Sequence, residues 1–361
     1  MNIPQSFYRF IIRKGGDPTW SCRCHIIIHF YGSAKDNPVL YSETFIMGSV
    51  NDTKNEDFIL IGLSSDPKTK IALFVFFSLV YMTSITGNAV LILITQLASD
   101  LHKPMYRFIC SLSLLDITFT SVTVPKMLSG LLLEHNYISR VGCFTQLYFF
   151  HFLGSAECFL LSIMGYDRYV AICHPLRYSQ IIDKKTCIQL ASGCWITGFF
   201  YSSVHTILTS ALSFCASKEI NHFLCDMPPL LKLSCTDTKI NVIVILGLGG
   251  LAAGASFLLT TISYFYIIST ILKIRSAEGR QKAFSTCASH LLIVLMFYGT
   301  ILVMYLRPQS SYSMEHDKIL SVFYNIITPM LNPMIYSLRN KEVKCALCKS
   351  FVRKNQLGKL N

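Results

Sequence analysis

Met164-Gly-Tyr-Asp-Arg-Tyr-Val-Ala-Ile-Cys173, running on into His174-Pro-Leu-Arg-Tyr178, ends a long apolar run with an adjacent acid and base, Asp167 and Arg168. Charge at the end of a lipid-buried helix is expensive to keep there, which marks the pair as a functional element. The run it closes, Cys143–Met164, is near the roughly 20 residues that cross a bilayer.

Six similar runs flank it: Ile71–Leu97, Phe108–Leu128, Cys187–Leu208, Ile240–Leu272, Ala283–Leu306 and Ile319–Leu338. In chain order, the first, fourth, fifth, sixth and seventh of the set carry no Asp, Glu, Lys or Arg. One such run can be a buried helix of a soluble protein. Seven require a helical membrane bundle, because only helices satisfy their own backbone in lipid at this spacing. The composition, 52% hydrophobic and 14% charged over 361 residues, excludes a single soluble domain. The predicted fold is therefore all-α, a seven-transmembrane helix bundle over residues 71–338. Residues 47–70 form an outer N-terminus, and 339–361 a cytoplasmic tail with a short amphipathic helix.

Lys and Arg set the orientation. One face gathers the loops after the first, third and fifth runs together with the tail. It carries 17 bases, among them Lys103, Arg107, Arg177, Lys184, Lys273, Arg275, Arg280 and Lys282, against five acids. That face is cytoplasmic, which leaves the N-terminus outside. The basic bias reports topology and contact with lipid head groups, and no nucleic-acid partner is expected.

Of the 14 cysteines, Cys143, Cys215, Cys225 and Cys235 fall on the outer side, where disulfides persist. Spacing alone leaves all three pairings of these four open. Cys345 and Cys348 follow the seventh run among basic residues and are candidates for palmitoylation. Residues 1–46 lack an apolar segment of signal-peptide length, and Met47 is read as an alternative start. Cys22, Cys24, His25 and His29 fit no strong zinc spacing. Asn51-Asp-Thr53 is a glycosylation acceptor. The longest connection, 209–239, holds three of the outer cysteines and reads as an ordered lid.

Several motifs in order closely resemble odorant receptors of the rhodopsin-like (class A) G-protein-coupled family. They are Gly87-Asn88, Leu101-His-Lys-Pro-Met-Tyr106, Met164–Cys173, Ser263-Tyr264, the stretch from Lys282 to His290, and Pro329-Met-Leu-Asn-Pro-Met-Ile-Tyr336-Ser-Leu-Arg-Asn340. The match covers about residues 58–347. Arg107 stands where the family usually has an aromatic residue, and Gly165 where it usually has alanine. Phe297-Tyr298-Gly299-Thr300 replaces the Trp-Pro switch of most rhodopsin-like receptors.

The resemblance implies roles. Asp167, Arg168 and Tyr169 form the transduction element, with Asp167 holding Arg168 at rest. Asn332-Pro333 and Tyr336 supply a bistable stretch in which Pro removes a helical hydrogen bond. Tyr264 is the residue that Tyr336 meets in the active form. The disulfides are Cys143–Cys225 and Cys215–Cys235. The ligand pocket, by family position, comprises Phe150, His151, Gly154, Ser155, Leu248, Ala252, Tyr298, Ile301, Leu302, Tyr305 and Asn325. Each aromatic of this set also fits ordinary bundle packing, and His151 fits a satisfied interhelical histidine as well as a ligand or soft-metal contact. The implied partners are a small-molecule odorant, a stimulatory heterotrimeric G protein of the olfactory type and membrane lipid, at the plasma membrane of olfactory cilia.

Helix geometry adds a midplane pair. Phe150, Gly154, Glu157, Leu161 and Arg168 share one helical face. Glu157 stands roughly 16 Å above Arg168, and Asp116 is roughly 15 Å deep in the second helix, at 1.5 Å rise per residue. Two carboxyls at one depth, near Asn88 and Asn332, suggest a sodium-type ion or a shared proton, beside the plainer reading of a hydrogen-bonded packing pair. No other cofactor is expected. Cys143–Ala156 has no acid to bind an amine, and the seventh run has no Lys inside its apolar body for a retinal Schiff base. A neutral, mostly apolar organic ligand is the expectation. A rhodopsin-like receptor for a metabolite or peptide is the alternative. A transporter lacks its repeats and broken helices, and Asp116 and Glu157 have no nucleophile or metal motif that would make them an enzyme's dyad.

Overall fold

The computed structural model describes residues 57–133, 136–215, 218–305, 314–340 and 342–349. Residues 1–46, Asn51 and the tail beyond Lys349 lie outside these, and with them the expectations for the N-terminal extension and the sequon.

Each apolar run is helical over its described residues. The helices are α1 (Pro67–Leu97), α2 (Pro104–Leu132), α3 (Arg140–Cys173), α4 (Lys184–Ser210), α5 (Lys239–Leu272) and α6 (Ala277–Tyr305). The last, α7, runs through Met314–Val322, a π turn at Phe323–Ile327 and Thr328–Arg339. Most extend past their apolar runs because a helix continues into the interface until its first N–H groups are capped. Asp66 accepts from Thr69 N at 2.8 Å, Ser139 from Gly142 N at 3.1 Å and Asp183 from Thr186 N at 2.7 Å.

Among the described residues five helices are long and apolar enough to cross a membrane, and α6 joins them if its two segments, bent by 41°, are taken as one span. At 27 residues, α4 is about 40 Å long. Its apolarity is diluted by Ser202, His205 and Thr209, which are buried against the bundle. The central strut is α3, buried along most of its length, whereas the most apolar stretch of α5 is almost wholly unburied and most of its buried positions, Ser256, Thr260, Ser263, Tyr264, Ile267 and Ile271, fall in its second half.

Pro333 lacks the N–H that would bond the carbonyl of Pro329 one turn back. Asn88 of α1 takes that carbonyl instead, its Nδ2 donating to Pro329 O and to Ser84 O at 3.0 Å each. The helices can approach so closely because Gly87 has no side chain; a Cβ there would sit 3.0 Å from Pro333 Cγ.

The end of the bundle that the Lys and Arg pattern assigns to the outside is closed by loops. Strand β1 (Phe58–Leu60) lies between β2 (Tyr137–Ile138), antiparallel, and β3 (Glu219–Ile220), parallel. Phe58 and Leu60 point to one face and join a second core with Ile138, Phe144, Leu147 and Leu230. A further helix, α8 (342–349), follows α7. It is amphipathic: Val343 and Ala346 are buried, while Lys344, Cys345, Cys348 and Lys349 are exposed. Tyr106 anchors it, donating to Glu342 Oε2 at 2.8 Å and accepting from Asn340 Nδ2 at 3.0 Å.

Candidate functional site

At the inner end of α3 the Arg168 guanidinium and the Asp167 carboxylate are ion-paired and both buried. Neighbouring residues on one helix do not naturally face each other. Here the pair is held from outside the helix: Tyr178, across the turn that follows α3, donates to Asp167 Oδ1 at 2.8 Å. Tyr169 points elsewhere, its hydroxyl 3.1 Å from His174 Nε2.

One turn above Arg168, three helices meet at His290 of α6. Its Nε2 lies 3.0 Å from the carbonyl of Leu161 in α3, and its Nδ1 lies 2.8 Å from the hydroxyl of Tyr264 in α5. A carbonyl only accepts, so Nε2 carries the proton and Nδ1 accepts from Tyr264. That hydroxyl is shared with Cys287 O at 3.2 Å. Tyr264 is thereby engaged with α6, and Tyr336 of α7 is buried with no hydrogen-bond partner of its own among the described residues. His290 joins α3, α5 and α6 as a latch. Sequence inspection placed it in a motif without assigning it a role, because both partners lie on other helices.

At mid-depth Asn332 donates its Nδ2 to both oxygens of Asp116 at 3.0 Å each. Glu157 is buried within Coulombic reach of Asp116. Asn88 does not reach either carboxyl through its amide nitrogen, which goes to the carbonyl freed by Pro333. Ser84 Oγ, Asn88 Oδ1, Glu157 Oε1 and Asn332 Oδ1 are buried without hydrogen-bond partners among the described residues. Buried polar atoms usually have partners. These are hard oxygens, the donor type that suits a small alkali cation or a water chain, so the residues fit a sodium-type ion. Among the described residues no three His, Cys, Asp or Glu side chains are arranged to hold a metal.

In the outer half Phe150 stacks on Phe119 at 5.4 Å, and Tyr324 meets Phe119, Phe150 and Phe297 edge-on at 5.4, 6.3 and 5.4 Å. Tyr324, which sequence reasoning did not single out, is the hub of this cluster. Gly154 faces its hydroxyl, and a Cβ there would collide with it. Ser155 donates to His151 O of its own helix at 2.7 Å, and Tyr298 donates to Cys158 O of α3 at 3.2 Å. Asn325 is fully buried in the π turn of α7, and neither atom of its amide has a hydrogen-bond partner among the described residues. Ala252 and Ile301 are half-buried. Tyr305 ends α6, and its side chain lies outside the described set.

Two predicted lining residues are turned outward: Leu248 is 44% exposed and Leu302 38%. Leu248 falls within a π turn, Ile245–Gly249, which shifts the phase of the helix by one residue. Leu302 stands at the edge of the inward face that Ile293, Phe297 and Tyr298 define.

The His151 ring stacks on that of His205 in α4, with centroids 6.3 Å apart. Its Nε2 lies 3.3 Å from Asp226 Oδ1 in the lid, outside hydrogen-bond alignment. Burial would raise the Asp226 carboxyl, but the contact with His151, His222 nearby and the Met227 N–H hold it below its ordinary value. The lid is fastened at the same place by Cys143–Cys225, and within itself by Cys215–Cys235. Gln146, which sequence reasoning also missed, accepts from Cys225 N at 3.0 Å and donates to Val122 O at 3.1 Å.

A bundle of long apolar helices, a buried Asp-Arg pair at the end of the central one and a proline-broken last helix define a rhodopsin-like G-protein-coupled receptor. Residues 77–354 match the olfactory receptor family. The chain belongs to that family, whose members are seven-span, non-enzymatic receptors. It is 51% identical to human olfactory receptor 8H1 over 308 residues, covering 85% of this chain and 99% of that protein. Mouse olfactory receptor 5AR1 is 48% identical over 310 residues, 86% of this chain and 100% of that protein. Mouse olfactory receptor 5AP2 is 51% identical over 300 residues, 83% of this chain and 94% of that protein.

Proposed function

We propose that the chain binds small, mostly apolar odorants in the outer half of the bundle and couples to a stimulatory olfactory-type G protein, raising cAMP. The N-terminus lies outside and the tail in the cytoplasm, at the plasma membrane of olfactory cilia. The observation that carries this reading is the double restraint at the inner end, Tyr178 on Asp167 and His290 across three helices. Such restraints give a resting state that a ligand can undo.

The chamber is an aromatic cluster around Tyr324, with the Asn325 amide as the polar group in need of a partner. Small-molecule sites have this balance of many apolar contacts and few polar ones. The strand-and-disulfide lid over the mouth favours a small ligand over a peptide. A ligand that contacts Tyr324 and Asn325 acts directly on α7, where the proline leaves the backbone able to change shape. Tyr336 then swings to Tyr264, the His290 latch opens, α6 moves outward and Arg168 is freed for the G protein. A sodium-type ion held by Asp116, Glu157 and the oxygens of Asn88 and Asn332 would supply the positive charge that lets both carboxyls stay ionised.

The test is a cAMP measurement in cells that co-express the olfactory stimulatory G protein, over an odorant panel, with Arg168→Ala as control. At least one odorant should raise cAMP in the native chain and none in the variant at equal surface level. An odorant response that survives Arg168→Ala overturns the coupling, and unchanged potencies in Asn325→Ala and Phe150→Ala overturn the chamber.

A further inference from the structure

Near their inner ends α5 and α6 part around a cleft of 320 Å³. Its floor is Ile267, Ile271 and Cys287, all buried. Its mouth is flanked by Ile268 and Phe284, which are 41% and 44% exposed. The surface around it continues apolar, with Phe265 and Leu272 exposed as well. The cleft therefore opens sideways toward lipid. Arg168 does not line it, so it is distinct from the surface at which the transduction pair is released.

Polarity changes along its length. Leu291 and Tyr264 close the deep end, and Gln281 and Ser285 line the other. Gln281 to Leu291 is about 15 Å of helix at 1.5 Å per residue, half of a hydrocarbon core of roughly 30 Å. Beyond Gln281 lie Lys273 and Arg275 of the loop between the helices and Arg280 in the first turn of α6. All three are exposed, and none has an ion-pair partner among the described residues.

We propose that this cleft binds one anionic phospholipid of the cytoplasmic leaflet, an acyl chain in the groove and the phosphate on Lys273, Arg275 and Arg280. An uncharged lipid has little reason to prefer it, because lipid tails are as apolar as the groove they would leave the bilayer to enter. The head group supplies the preference, since each cation near an anionic lipid strengthens attraction about fivefold. Gln281 and Ser285 stand at the level of the glycerol esters. The deep wall is Tyr264, held to α6 by both His290 Nδ1 and Cys287 O, so the cleft as seen belongs to the state in which the His290 latch is closed. A lipid seated there favours the latched state, as any ligand favours the state that binds it better. The leaflet assignment rests on the topology proposed above.

The experiment uses the full chain in nanodiscs of phosphatidylcholine, or of phosphatidylcholine mixed with phosphatidylglycerol. Lipid retained on the protein is read by native mass spectrometry. Phosphatidylglycerol should be retained over phosphatidylcholine, Arg275→Gln should weaken that preference about fivefold, and Ala288→Phe, which fills the groove, should lose the retained lipid. Equal retention of the two lipids by the native chain overturns the proposal, as does an unchanged preference in Arg275→Gln/Arg280→Gln. If Ala288→Phe fails to fold, a phosphatidylglycerol carrying a photoreactive acyl chain replaces it: crosslinks within 264–291 support the site, and crosslinks confined elsewhere overturn it. Nanodiscs present the same lipids on both sides, so these results do not depend on orientation. Thiol labelling of Cys345 in intact cells, rather than only after permeabilisation, would overturn the leaflet alone.

Discussion

Replacing His290 with leucine keeps most of the side-chain volume but removes both bonds of the latch, to Leu161 O at 3.0 Å and to the Tyr264 hydroxyl at 2.8 Å. Neither partner is stranded. The Leu161 carbonyl lies mid-helix in α3, and Tyr264 keeps Cys287 O at 3.2 Å. The cost is therefore the net worth of two hydrogen bonds, about 2 kcal/mol in total, without an added burial penalty. If the latch exists only at rest, the ratio of active to resting receptor rises about 30-fold. A receptor about 1% active without ligand becomes about a quarter active. Basal cAMP normalised to surface expression reads this directly. The maximal odorant response should change little, because the active form does not use the latch. A basal signal within threefold of the native level, at normal surface expression, sinks the latch as a resting-state restraint.

Tyr178→Phe removes the bond from outside α3 that orients Asp167. It should raise basal cAMP several-fold with the odorant's potency kept or improved; a silent variant at full expression counts against that role. Gly165→Ala should stabilise the chain by about 0.5–1 kcal/mol, because the new Cβ would sit 3.6 Å from both His290 Cε1 and Thr260 Cγ2, ordinary contacts. A lower unfolding temperature would show that the helices cannot accept it. His222 in the lid accepts from Leu224 N at 3.3 Å, and burial pushes its imidazole down to about 4. Above about pH 6.5 it is neutral folded or unfolded and contributes no pH dependence. As pH falls from there toward 4 only the unfolded chain takes up the proton, so stability is lost, by roughly 2–3 kcal/mol by pH 4.5. Thermal unfolding of the native chain between pH 7.5 and 4.5 should fall more steeply than that of His222→Gln, and parallel curves would contradict the assignment.

The number and position of the long helices were legible because lipid offers the backbone no hydrogen bonds. A long apolar run has one stable answer, and that answer is written locally. The face shared by Phe150, Gly154, Glu157 and Arg168 was legible for the same reason, since a helical period is a local property, and all four residues are buried. The phase of α5 was not. The π turn at Ile245–Gly249 turns Leu248 outward although family position placed it in the pocket.

What one helix supplies to another was legible only as candidates. Asp116 and Asn332 are 216 residues apart, and their contact depends on how α2 and α7 are set against each other. Asn88 looked like a partner of the carboxyls until the carbonyl freed by Pro333 proved nearer. The joining of His290 to Leu161 and Tyr264, of Tyr178 to Asp167 and of His151 to the lid's Asp226 likewise required the packed bundle. By itself the sequence determined that this chain is a membrane bundle of the olfactory receptor kind, because apolarity and motif order are carried along one strand of residues. Only the tertiary structure decided which buried polar groups have partners, because a hydrogen bond across helices is set by angles and distances between segments that no local pattern encodes.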